Sequence, residues 1–337
     1  MAGKHANRRQ ARGIRIASVT VVLVAAVAVV SLSLGSGGAG SAHDPHNAPR
    51  TSSATTRQTT TTTTTAATTT STTSTTTTTT TPPPPTRGPQ TSEHYTANGN
   101  FAGSTYLPGA VGFNLADVPS NVVAAALPAG VKALVWVGSC DGATASFQSI
   151  IASFVGDAKV FGFYLMDDPN PSSCNAANLK AESDWIHAHD PGTYTFIIEQ
   201  DLSGSNHPSY QGGYNPANSD IDLYGLDLYP CRTDNPSSSP CTYSWIRLAV
   251  SAAEKEGIPR ADIVPVYQTF GGGSWLDDGG GAYQLPTAEQ ESQILSTWGS
   301  LVPTPKFDYA YSWGSQNGAV ALGTTPSLQS VFQGHNG

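Results

Sequence analysis

Positive charge is scarce beyond residue 90. Residues 91–337 hold eight Lys and Arg against 23 Asp and Glu, formally −15 with His neutral. A field of that sign opposes polyanions, so nucleic acid is not an expected partner. Cysteine is sparse as well, at four residues. Their spacings fit no zinc motif, and His187 and His189, two apart on a helical stretch, face different ways. No metal is expected. No glycine-rich phosphate loop follows a strand, and the triple glycines lie in turns. That leaves no organic cofactor to expect. Long apolar runs are also missing, with one exception near the start.

The exception is residues 16–34, rich in Val and Ala, behind Lys4, Arg8, Arg9, Arg12 and Arg15. Its length approaches the roughly 20 residues that span a bilayer. It reads as a single-pass anchor with the C-terminal part outside and residues 1–15 as a basic cytoplasmic terminus. An export signal cleaved near Ala42 is the other reading. Residues 35–90 follow, nearly pure Thr over 59–81 and then four prolines. Such a stretch holds too few apolar groups to offset the entropy of ordering, so a disordered stalk or wall-spanning spacer is expected. The protein is therefore placed on the outer side of the cell membrane or in the cell wall, attached through its N-terminal segment.

Residues 91–337 suit one domain with a sizeable core, expected as a monomer. All four cysteines lie here. An even count downstream of an export segment favours two disulfides, with three pairings open. Cys231–Cys241 would close a loop after one strand, and Cys140–Cys174 would join neighbouring loops; these are the expected bonds.

Strand-like runs at 110–115, 132–137, 159–166, 194–198, 221–228, 262–267 and 308–313 alternate with helical stretches. Thr287 to Gln290 spells a capping box ahead of Ile294, Leu295, Trp298 and Leu301 on one helical face. Repeated β-α units predict a parallel sheet with helices outside, an α/β TIM-like (β/α)8 barrel. Seven strands read clearly. An eighth is expected in 98–107 or 204–218, and an open doubly wound sheet is the alternative.

Several strands end abruptly in acids: Asp117, Asp141, Asp167 with Asp168, Glu199 with Asp201, and Asp227. Carboxylates delivered to one barrel rim among aromatic rings suggest glycosidic chemistry, in which one carboxylic acid protonates the leaving oxygen and a second carboxylate attacks or activates water. Asp168, Asp227 and Glu199 are the catalytic candidates. Asp167, one residue before Asp168, is expected on the opposite strand face in a structural role. Trp136, Tyr229, Trp275 and Trp313 offer flat apolar faces for sugar rings, and Gln268 a partner for hydroxyls. A neutral carbohydrate polymer is the expected substrate.

These motifs resemble bacterial glycoside-hydrolase-type TIM barrels. Such barrels carry Tyr-Leu-x-Asp-Glu-Pro after strand four, Asp-x-Tyr-Pro after strand six, Gln-x-Phe after strand seven and Trp after strand eight. Here those places read Tyr164 to Pro169, Asp227 to Pro230, Gln268 to Phe270, and Trp313. The resemblance implies that the run 159–166 is strand four, with a further strand before it. It makes Asp168 the acid, Asp227 a second rim carboxylate, and Gln268 and Trp313 sugar contacts. Two departures stand out: Asp168 is a methylene shorter than the family's Glu, and no acid accompanies Gln268 on its strand. The second departure supports an alternative, a non-catalytic glycan-binding barrel. A remote alternative reads Gly138-Ser-Cys140-Asp-Gly142 as a nucleophile elbow with Cys140 as nucleophile of an α/β-hydrolase and His335 as its base.

Overall fold

Eight short runs, most of them apolar or aromatic, pair in parallel until the last meets the first. They are β1 (His94–Thr96), β2 (Leu115–Val118), β3 (Lys132–Trp136), β4 (Val160–Met166), β5 (Tyr194–Ile198), β6 (Leu223–Leu226), β7 (Ile263–Gln268) and β8 (Asp308–Tyr311). Strand β1 pairs with β2 on one side and β8 on the other, which closes the barrel. The doubly wound alternative is thereby excluded. This computed structural model describes residues 87–236, 239–276 and 280–337. The expected anchor and nearly all of the stalk lie outside them, and no helix among the described residues is long and apolar enough to cross a membrane.

Alternation along the strands sorts side chains into two layers. Inside the barrel, Phe161, Phe196 and Phe307 meet ring to ring, with centroids 5.6 and 5.0 Å from Phe307. Burying each such ring contributes about 1.5–3 kcal/mol. Climbing β8, the inward residues read Phe307, Tyr309 and Tyr311, so the filling grades from hydrocarbon to phenol towards the C-terminal rim. Gly225 faces inward on β6 because a Cβ there would meet Ile198 Cδ1 at 2.3 Å.

The outer layer packs under α1 (Asn121–Ala125), α2 (Ala145–Ala152), α3 (Ala176–His189), α4 (Pro216–Ser219), α5 (Ser244–Glu256), α6 (Ala288–Leu301) and α7 (Pro326–Asn336). The capping box at Thr287 opens α6 as expected: Thr287 accepts from the Gln290 amide and the Gln290 side chain accepts in return. Helix α5 stops at Gly257, whose φ of 95° provides a left-handed cap.

The eighth strand is His94–Thr96, ahead of either place the sequence suggested. Three residues, two of them polar, give no periodic signal. Residues 98–107 instead form a small ribbon, Phe101–Ala102 against Thr105–Tyr106, and 204–218 is loop leading into α4. Residues 108–111 form a 3-10 turn, so the strand expected at 110–115 lies later and carries Asp117 within it. The run from Val160 becomes strand four, as the resemblance implied. Both expected disulfides are present, Cys140–Cys174 with Cα atoms 5.6 Å apart and Cys231–Cys241 with 3.9 Å. Cys140 therefore has no thiol to offer, and the Cys-nucleophile reading is withdrawn.

Candidate active site

The strand that ends in two aspartates does not run regularly. Its register against β5 shifts between Tyr164 and Met166. The shift changes which face the following residues present. Asp167, expected on the outer face, turns inward, and the Tyr164 hydroxyl donates to its Oδ1 at 2.5 Å. Its charge raises the pKa of Tyr95, Tyr164, Tyr229, Tyr309 and Tyr311, in each case behind the larger effect of burial. All five phenols are therefore held towards the protonated form, with the Tyr164 proton given to Asp167 and the Tyr311 proton to Gln316 Oε1. Asp168 follows in a left-handed backbone conformation, φ 46°, a setting that Asp tolerates better than most residues.

Asp227 continues the inward Gly225 face of β6, the direction expected from the alternation, and Tyr229 follows it in the inner cluster. The hydroxyl of Tyr311 reports the meeting of these groups. Burial, Asp167, Asp227 and Asp168 all push its pKa upward, against a hydrogen bond with Asn98 that lowers it. Carboxylates just past β4 and β6 thus both act on one tyrosine at the end of β8. Each of the three aspartates is half-buried, so each keeps some contact with solvent.

Asp117 joins them from β2. Burial pushes its carboxyl up to about 6, partly offset by the Asn98 backbone N–H donating to it. After burial, it is also the largest influence on the Tyr95 and Tyr106 hydroxyls, raising both. The sequence showed this acid among those expected at the rim, though not among the three catalytic candidates; it lies within the strand rather than after it.

Aromatic rings wall the same rim. Trp136 is half-buried and lies edge-on to Tyr164, centroids 4.8 Å apart. Trp275 stacks on Phe270 at 4.8 Å with planes 27° apart, and lies 5.9 Å from Tyr311. Tyr229 meets Phe270, Tyr283 and Tyr311 between 4.9 and 5.9 Å. Arg232, in the disulfide-closed loop, is engaged by Asp234 at 3.0 Å and stacks on Trp245 at 4.5 Å.

Three predicted residues are placed elsewhere. Glu199 is 1% exposed, follows the inward Ile198, and its Oε1 accepts from the Tyr214 amide at 3.0 Å in the outer layer. Burial raises its pKa well above the ordinary range, against the Tyr214 hydrogen bond, and the charges of Glu256 and Asp168 add to the rise. Gln268 is wholly buried, and its amide is committed to backbone. Its Oε1 accepts from the Cys231 N–H at 2.8 Å, and its Nε2 donates to the carbonyls of Cys231, Gln284 and Phe270. It presents no polar group to a sugar. Trp313 belongs to the outer cluster with Leu322, Leu328 and Phe332, although regular alternation would set it on the face of Tyr311; β8 ends at Tyr311, so the strand period no longer governs it. Asp141 is exposed, and Glu182 from α3 holds its loop through Ser139 Oγ and the Asp141 and Gly142 amides at 3.0–3.1 Å.

At the opposite end of the barrel, His94, Asp308 and His335 bring three possible ligand atoms within 4.8 Å of one another.

No protein family's sequence profile matches this chain, and no curated protein matches it. Solved structures do. The chain is similar to a chitinase from Chromobacterium violaceum (13% identity, 73% of this chain and 98% of that one, TM-score 0.43). It is similar to an endoglucanase from Pseudomonas stutzeri (16% identity, 68% and 83%, TM-score 0.43). It is also similar to a chitinase-like agglutinin from Robinia pseudoacacia (13% identity, 73% and 99%, TM-score 0.41). The likeness is one of barrel fold.

Proposed function

We propose that this protein is a glycoside hydrolase that acts outside the cytoplasm, as a monomer, on a neutral carbohydrate polymer. The placement of Asp167, Asp168 and Asp227 just past the ends of β4 and β6, with charges that all act on Tyr311, carries the reading. Glycosidic cleavage requires a protonated carboxyl near the leaving oxygen and an ionised one near the anomeric carbon or its attacking water. Like charges held close together in a partly desolvated site favour that division, because one of them keeps its proton more readily. Tyrosines of this rim other than Tyr164 and Tyr311, whose protons go to Asp167 and Gln316, supply donors to sugar oxygens, and the Trp275–Phe270 stack and Trp136 supply flat faces. The strongly acidic domain disfavours acidic sugars. Two disulfides suit an oxidising compartment outside the cytoplasm.

The test is release of reducing ends from cellulose, chitin and mixed-linkage glucan, with Asp167→Asn, Asp168→Asn and Asp227→Asn alongside the native chain. The proposal requires cleavage of at least one polymer by the native chain and its loss in at least two variants. A second reading, a glycan-binding barrel without catalysis, is favoured by one observation: the end of β7 holds Gln268, and its amide is committed to backbone. Binding without cleavage, unchanged in all three variants, would establish that reading instead.

A further inference from the structure

The barrel's other end holds a cluster that the glycosidase reading does not use. His94 opens β1 and Asp308 opens β8, and the parallel register sets these two residues opposite each other. The last turn of α7 returns beneath them and adds His335. His94 Nδ1 lies 2.8 Å from Asp308 Oδ1, and His335 Nε2 lies 2.7 Å from Asp308 Oδ2. The three side chains are 4%, 1% and 5% exposed. The Tyr267 hydroxyl donates to Asp308 Oδ2 at 3.1 Å.

We infer that His94, Asp308 and His335 form a structural binding site for a divalent transition-metal ion, with zinc the best match. Two imidazoles and one carboxylate make a nitrogen-rich donor set that suits zinc and its neighbours. Calcium and magnesium prefer cages of oxygen. Three protein donors leave a fourth position of a tetrahedron for water. The Tyr267 hydroxyl stands where an outer partner orients a ligating carboxylate. Of the three, His335 borders a surface depression that Arg87, Gln90, Ser92, Lys306 and Asn336 also line. Packing is tight on the ring of His335: a Cβ on Gly88 would come within 2.9 Å of its Nδ1.

The position says what the ion would do. Barrel chemistry belongs to the C-terminal rim, and this cluster sits where β1 and β8 begin. A metal there would pin the C-terminal helix to the first and last strands and so lock the closure of the barrel. The donors come from residues 94, 308 and 335, so no local spacing in the sequence announces them.

The experiment uses the full-length chain without an affinity tag, stripped with chelator and then titrated with Zn²⁺ or Co²⁺. Expected are one tightly held Zn²⁺ per chain above any weak uptake, visible absorption bands of a tetrahedral Co²⁺ complex, and a rise of several degrees in Tm with Zn²⁺. His94→Ala strips a buried partner from Asp308 and so confounds metal loss with misfolding; His335→Gln is the deciding variant, because its amide can still donate to Asp308. It should keep the metal-free Tm within a few degrees while losing the tight equivalent and the cobalt bands. A native chain that shows no tight equivalent, no bands and no shift in Tm would overturn the proposal and leave a hydrogen-bonded latch. Equal uptake by His335→Gln would overturn it too.

Discussion

Tyr164 and Asp167 meet on the inner side of β4 and its end although they lie three positions apart. In a regular strand, residues three apart point to opposite faces. The register shift before Met166 brings them to one side, where the phenol donates to the carboxylate at 2.5 Å. The result is a carboxylate that Tyr164 holds in place and whose charge also acts on Tyr95, Tyr229, Tyr309 and Tyr311.

Asp167 is therefore predicted to matter at least as much as Asp168. Asp167→Asn should lower reducing-end release by about 10²-fold or more, in the range of lost acid–base groups. Tyr164→Phe removes the donor and leaves the acid. It should keep measurable turnover while shifting the pH profile, since the carboxylate loses a bond that favours its ionised form. Full activity in Asp167→Asn would remove that residue from the chemistry.

How much of this was legible follows from the periods involved. Fold class, the capping box of α6 and both disulfides rest on repeated or local patterns, and the chain carried those signals openly. Asp227 was readable because β6 alternates without interruption. Asp167 was not, because a single irregularity inverts every later assignment on a strand. Gln268 and Trp313 show a different limit. Residue type suggested sugar contact, but direction and hydrogen-bond commitments depend on the neighbouring loops, which the strand's own residues do not encode. β1 was missed for its brevity.

Trp275 supplies a second prediction. Its ring is held by Phe270 and lies 5.6 Å from Tyr283, so it is a preorganised face. Trp275→Ala should raise KM or Kd for a polymer about 10-fold, the scale of one lost aromatic contact, and change kcat little. Isothermal titration against soluble oligosaccharides reads the difference. An unchanged affinity would make the ring a packing element only.

The pH dependence of stability has a definite sign. Burial raises the carboxyl of Glu182 from 4.5 to about 7, against hydrogen bonds from Ser139 and from the Asp141 and Gly142 amides. Burial likewise raises Asp117 from 3.8 to about 6. Between the unfolded and folded values the native state holds more protons than the unfolded chain, so stability falls as pH rises. For Glu182 the fall runs from about pH 4.5 to 7 and amounts to no more than about 3 kcal/mol. Denaturant melts across pH 4 to 8 should show it. Glu182→Gln keeps the acceptor oxygen and should flatten that part of the curve; an unaltered slope would assign the effect to other groups.

Gln268 and the Cys231–Cys241 bond act on the same loop, and their effects should not add. The disulfide closes a short loop whose entropy in the unfolded chain is worth about 3 kcal/mol. Inside the fold, the Gln268 amide grips that loop through both the N–H and the carbonyl of Cys231 and ties it to Gln284. Gln268→Leu leaves a buried N–H and buried carbonyls without this partner, which should cost about 2–4 kcal/mol. Once the amide is gone, the loop is free to loosen locally before global unfolding, so the covalent link restrains less of what the native state still orders. Removing both cysteines should then destabilise the Gln268→Leu background less than the native one, by 0.5 kcal/mol or more, the size typical of groups that share partners. A double-mutant cycle in denaturant measures this coupling. Strict additivity would mean that the loop is held by the disulfide alone and that the amide serves only the end of β7.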